Sequence, residues 1–145
     1  MRIDRLNFVT TARLSTVSVD SPLRAAARSL SDPGIGLLVV CNGRGAAVGV
    51  LSKSDLVRYM AEAPSEVSCA GELMSKTLIA CEPADDLRAV WQRMVIQNLQ
   101  NVPILDATQK PLGVLDIRDA MKALLEAEEF QENLLVNYVA GVGYQ

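Results

Sequence analysis

Gly49-Val50-Leu51-Ser52-Lys53-Ser54-Asp55 and Gly113-Val114-Leu115-Asp116-Ile117-Arg118-Asp119 are two copies of one stretch, 64 residues apart. Each reads as a short apolar strand that turns straight into a helix. Laid at that offset, residues 23–63 fall on 87–127 without a gap. Leu23, Arg24, Ala25, Gly49, Val50, Leu51, Asp55, Glu62 and Ala63 are identical to their partners. The identities cluster at a helix start and at the strand-to-helix turn, where backbone geometry is demanding. The chain is therefore expected to be two repeats, each β-α-β-β-α. Such a half is too small to bury both faces, so the halves should pack as one α/β module related by a pseudo-twofold axis.

The flanking segments support this reading. Thr16-Val17-Ser18-Val19 alternates like a strand, and Ser21 with Pro22 predicts a helix start, Ser21 as N-cap. Leu23, Ala26, Ala27 and Leu30 would form that helix's inner face. The apolar run from Ile35 to Cys41 fits a strand buried on both sides, and Asn42-Gly43 signals a hairpin. Ala46 to Leu51 would return, and a helix from Lys53 to Ala63 would carry Leu56, Val57 and Met60 as its apolar stripe. In the second half, Gly71 to Met74 reads as a short helix and Leu78 to Cys81 as a strand. Asp85 would cap a helix with Leu87, Val90, Trp91 and Met94 inside. Strands over Val102–Leu105 and Leu112–Leu115 and a helix from Ile117 complete the copy. Leu6, Phe8, Val9 and Leu14 suggest a leading segment packed on the body. The expected divisions are an N-terminal segment over 1–15, repeats over 16–64 and 71–128, and a helical tail over 129–145. Phe130, Leu134 and Tyr138 recur every four residues in that tail, an apolar stripe suited to a dimer contact or to folding back.

Composition narrows the function. Half of the 145 residues are hydrophobic and the formal net charge is −3, with no basic excess for nucleic acid. There is no His, which removes the commonest general base and a favoured zinc ligand. Cys41, Cys69 and Cys81 lack CxxC spacing and read as structural thiols of a reducing compartment. Neither a signal peptide nor a membrane span is visible, so a cytoplasmic, non-inserted protein is expected. No nucleophile–base pair or metal cluster points to an enzyme. Asn42 to Gly49 misses the dinucleotide fingerprint, because Val48 replaces its third glycine and a strand follows. Trp91 lies at core spacing with Leu87 and Met94 rather than as a base-stacking platform.

With these motifs in register, the chain resembles a tandem pair of CBS domains (the cystathionine-beta-synthase domain family). The resemblance rests on the two quoted stretches, on Glu72-Leu73-Met74-Ser75 as the opening of the second repeat, and on Asn101-Val102-Pro103-Ile104-Leu105 as a central strand. It covers roughly residues 10–128 and looks like the stand-alone form. It implies a regulatory homodimer that binds AMP, ADP, ATP or S-adenosylmethionine between the repeats, with no other cofactor required. It places Ser52 on phosphate and Asp55 on ribose hydroxyls in one site, and Asp119 in the other. Thr16-Val17 and Thr77-Leu78 would flank adenine. Lys53, Arg58, Lys76 and Arg118 are phosphate partners by charge. A carboxylate suits a vicinal diol, and a helix N-terminus suits phosphate. Asp116 departs from the family's Ser or Thr and would repel phosphate, leaving that site for no ligand, an uncharged adenosine or a cation. Two alternatives stand beside this. Ser52-x-x-Asp55 also reads as a helix capping box, as does Asp116-x-x-Asp119. The module would then be a nucleotide-independent docking or dimerisation unit for a partner enzyme or transporter.

Overall fold

The structure is a computed structural model that describes residues 1–62 and 69–143, without the side chains at 133, 134 and 136–143. A 3-10 turn at Ile3–Leu6 leads into α1 (Asn7–Ala12). The first half follows as β1 (Thr16–Ser18), α2 (Leu23–Leu30), β2 (Leu37–Cys41), β3 (Ala47–Ser52) and α3 (Lys53–Glu62). The second is α4 (Ala70–Leu73), α5 (Leu87–Ile96), β4 (Asn101–Leu105), β5 (Pro111–Asp116) and the long α6 (Ile117–Gly143). The α/β architecture of two similar halves stands as expected.

The repeat holds at the level of single hydrogen-bond rungs. Val39 faces Val50 and Pro103 faces Val114, each pair displaced by 64. Both hairpins shift register at the same place, between Val40 and Cys41 and between Ile104 and Leu105. Both turns close alike: Asn42 Oδ1 accepts from the Arg44 and Ala46 amides, and Asp106 Oδ1 from the Thr108 and Lys110 amides. The hairpin forms at Asn42-Gly43 as expected, and Gly45 and Gln109 take the positive φ of the two turns, 78° and 66°.

Thr16–Ser18 runs parallel to β2, whereas the expected strand Leu78–Cys81 shrinks to one bridge, Cys81 to Ile104. Proline explains the loss. In the first half the Val39 amide donates to Ser15 and the Val19 amide to Cys41. At the same offset stand Pro103 and Pro83, which have no amide hydrogen, so both flanking rungs are deleted.

Other expectations shift by a residue. Pro22, not Ser21, is the N-cap of α2, because the Ser21 carbonyl is taken by the Ala70 amide. Asp86, not Asp85, caps α5 by accepting from the Ala89 amide, while Asp85 accepts from Glu82 in the preceding turn. Ala27 is exposed, as is Phe8, which sits about 200° around α1 from the buried Thr10. In α3 only Leu56 packs on the first core, and Val57 and Met60 are exposed. Ala63 lies outside the described residues.

The two cores exchange their leading segments. Ile3 and Leu6 pack with Leu87, Met94, Val102 and Leu115 of the second half, and Trp91 lies against that cluster as expected. Ala70, Leu73 and Met74 pack with Leu30, Leu38, Val40 and Leu51 of the first. A third cluster of Val39, Ala47, Leu105 and Val114 joins the halves, with Leu14, Leu78 and Ala80 against it. The repeated glycine makes the exchange possible. Residues 74 and 75 cross over Gly49, where the Val50 and Ser75 amides and carbonyls pair at 3.0 and 2.8 Å. Thr10 crosses over Gly113 in the same way, with its backbone 3.0 Å from where a Cβ would stand. Cys81 is buried, and burial pushes its thiol up to about 12; Cys41 and Cys69 are half-buried.

Candidate functional site

The end of β3, the start of α3, the 75–79 segment and the 98–103 segment enclose a cleft of about 570 Å³ between the halves. Such a volume is within the range of small-molecule sites. One wall is apolar, made by Leu37, Val50, Ile79, Leu99 and Pro103; the other carries Ser52, Lys53, Ser54 and Thr77. Asn98 adopts a left-handed conformation (φ 55°) after α5, and the Leu99 amide closes onto the Met94 carbonyl. That turn aims Gln100 and Asn101 into the cleft wall, where Asn101 Oδ1 is buried without a hydrogen-bond partner.

Three of the residues expected at a site, Ser52, Lys53 and Thr77, share this lining. Asp55 stands one helical step behind them. Its Oδ2 accepts from the Ser52 amide at 2.8 Å and from Ser52 Oγ at 2.9 Å, while the Asp55 amide reaches Ser52 Oγ at 3.3 Å. This is the reciprocal capping box. Among the described residues Oδ1 meets only the exposed Arg58 guanidinium, at 3.6 Å. Lys76 is exposed and outside that lining. Leu78 points into the cluster that joins the halves, and Thr16 and Val17 lie on β1, also outside the lining.

The second motif is built differently. It forms no capping box, because each of its carboxylates takes an arginine. Asp116 is buried and accepts the Arg118 amide at 2.8 Å and its guanidinium at 3.1 and 2.9 Å. Burial pushes that carboxyl up, but the Arg118 hydrogen bonds and charge outweigh it and hold it below the ordinary range. Asp119 receives a two-pronged bond from Arg13, Nε to Oδ2 at 2.8 Å and an Nη to Oδ1 at 3.1 Å. The other Nη of Arg13 donates to the Gly34 carbonyl at 3.1 Å. Hydrogen bonding to Asp119 raises the guanidinium pKa against the opposing cost of burial. Arg13 was not among the residues singled out in the sequence. Its signal was there, since it stands 64 positions before Thr77.

Among the described residues there is no cluster able to hold a metal, and no helix is long and apolar enough to cross a membrane.

Comparison with known proteins agrees with this fold. The family described as CBS domain matches residues 7–62 and 70–126. The gamma-3 subunit of 5'-AMP-activated protein kinase from Bos taurus is 27% identical over 131 residues, 85% of this chain. The chain spans only 26% of that subunit's length. A 17.7 kDa protein of Acidianus ambivalens is 22% identical over 96% of this chain and 84% of its own. Among solved structures, the CBS domain pair of protein MJ0100, in complex with 5'-methylthioadenosine and S-adenosyl-L-methionine, superposes with a TM-score of 0.74. It is 17% identical, with 88% of this chain and 98% of that one covered. CBSX2 in complex with AMP gives 0.74 at 21% identity, with 85% and 97% covered.

Proposed function

The chain belongs to the CBS domain family, and from that membership we propose that it is a regulatory module binding an adenosine-containing ligand in the cleft beside Ser52. The observation that carries the proposal is the two-sided lining. Ile79, Leu99 and Pro103 offer apolar surface to a purine, while the N-terminus of the ten-residue α3, with Ser52, Ser54 and Lys53, faces anions. Asp55 Oδ1 is the acceptor for a ribose diol, engaged among the described residues only by a long ion pair to an exposed arginine. Solved relatives carry AMP in one case and 5'-methylthioadenosine with S-adenosylmethionine in another, which supports the same ligand class here. No catalytic step is proposed, and the module acts through a ligand that prefers one of its states.

Binding to the folded state alone raises stability by mass action. Nucleotide-stripped protein is therefore expected to melt about 5 °C or more higher in saturating AMP, ADP, ATP or S-adenosylmethionine, an increment of roughly 2–3 kcal/mol for a domain of this size. Guanosine monophosphate at equal concentration is the control. Equal shifts with both bases, or none, would remove the adenosine reading.

The capping box favours a second reading, in which Asp55 only closes α3 and the module docks a partner enzyme or transporter. In either case we propose that two copies associate. Exposed apolar residues stand on both motif helices, Val57 and Met60 on α3 and Met121, Leu125, Phe130 and Leu135 on α6, and Val57 and Met121 are a matched pair at the offset of 64. A patch of this kind on a small protein calls for a partner surface. A chain shortened after Ala127 is expected to sediment as a monomer under conditions where the full chain is a dimer; an unchanged profile would exclude the tail from the interface.

A further inference from the structure

We propose that Arg13 is a built-in occupant of the second cleft, so that the chain takes one adenosine-containing ligand rather than two. The proposal rests on the ligand reading above and deepens it. The two hairpins match rung for rung at an offset of 64, so the counterpart of the first cleft is fixed by position. In that counterpart Thr77 becomes Arg13, Ser52 becomes Asp116 and Asp55 becomes Asp119. The small hydroxyl side chain that lines the first cleft is replaced by a guanidinium that reaches across the second.

The chemistry of the two carboxylates then diverges. Asp55 keeps one oxygen that meets, among the described residues, nothing but an exposed arginine at 3.6 Å. Asp119 has both oxygens held by one rigid fork at 2.8 and 3.1 Å, with the two side chains only 24% and 16% exposed. A planar guanidinium satisfies a carboxylate much as a vicinal diol does, with two parallel donors, and adds charge. Its third contact, to the Gly34 carbonyl, ties the fork to the first half. A ribose entering there must displace a charge-assisted pair and strand Arg13 beside Arg118. The other groups facing Arg13 are Asp116 and Arg118, which are already paired with each other, so they offer no replacement partner. Affinity at the second cleft is therefore expected to fall by tenfold or more, about 1.4 kcal/mol or greater, below detection at concentrations that saturate the first.

The test uses adenosine as probe, because it avoids repulsion between Asp116 and phosphate. Titration of the full chain is expected to give one adenosine per chain. Arg13→Thr, which installs the residue found at position 77, is expected to give two, and adding Asp119→Asn should return it to one. Arg13→Gln serves if the threonine variant does not fold, since it keeps length while removing the charge and the fork. Two adenosines bound by the unaltered chain would overturn the proposal without any variant. So would one adenosine bound by folded Arg13→Thr and Arg13→Gln alike. If the unaltered chain binds none while Arg13→Thr binds one in an Asp119-dependent way, Arg13 stands as the occupant and the Ser52 reading fails. No binding by any of these proteins overturns both.

Discussion

Gly49→Ala is expected to destabilise the fold by about 3 kcal/mol, enough to lower the melting temperature by more than 10 °C. The added Cβ would stand 2.7 Å from the Ser75 carbonyl oxygen and 2.9 Å from Met74 Cγ, and closer still to Met74 Sδ. Methionine can swing aside, but the carbonyl cannot. It is held by the Val50 amide at 3.0 Å, and the Ser75 amide returns to Val50 at 2.8 Å. Relief of the clash therefore breaks the bridge that seats the linker on the first core. The partner substitution, Gly113→Ala, meets Thr10 backbone at 3.0 Å and should cost less, about 1–2 kcal/mol. Thermal melts of the two variants check the ranking. If Gly113→Ala proves the more damaging, the linker crossing is not the tighter of the two.

The second large effect concerns binding. Asp55→Asn is expected to weaken an adenosine ligand by tenfold to about a hundredfold while leaving the melting temperature within a few degrees. Asparagine at this position still presents an oxygen to the Ser52 amide, so most of the cap survives. It loses the negative charge and, with its one oxygen on the cap, turns an amide NH2, a donor, toward the diol where Oδ1 had been an acceptor. Hydrogen bonds to charged groups contribute roughly 1.5–3 kcal/mol each, so the loss of one accounts for the expected range. The same change at Asp119 should leave affinity for the first ligand almost unaltered, because that carboxylate is committed to Arg13. A comparable loss from both would mean that the clefts act alike.

Much of the fold was readable because the repeat is literal. Gly49 to Asp55 and Gly113 to Asp119 mark the same turn, and β2, buried on both faces, was evident from its apolar run. The missing strand was also legible, since Pro83 and Pro103 stand where the first half uses the Val19 and Val39 amides. Reading Leu78–Cys81 by hydropathy alone overlooked what proline removes. The exchange of leading segments was not legible. Leu6 and Leu73 are ordinary apolar residues, and nothing local says which of two similar cores each will enter. The candidate site was only partly open to sequence reasoning. Ser52, Lys53 and Thr77 do meet, through the topology that the repeat implies. The pairing of Arg13 with Asp119 spans 106 residues and has no local signature. Carrying the offset back from residue 23 to residue 13 would have set that arginine opposite Thr77. The α3 stripe failed because helical spacing shows which residues share a face, not whether a core lies beneath it, and Val57 and Met60 have none.

The most direct measurement is isothermal titration of the nucleotide-stripped chain with AMP, ADP, ATP and S-adenosylmethionine, with Asp55→Asn run beside it. Saturable binding of at least one of them, weakened at least tenfold in the variant, is the predicted result. Flat traces with all four, or binding that the variant leaves unchanged, would contradict a ligand site at Ser52 and Asp55 and leave the capping box as the motif's whole purpose.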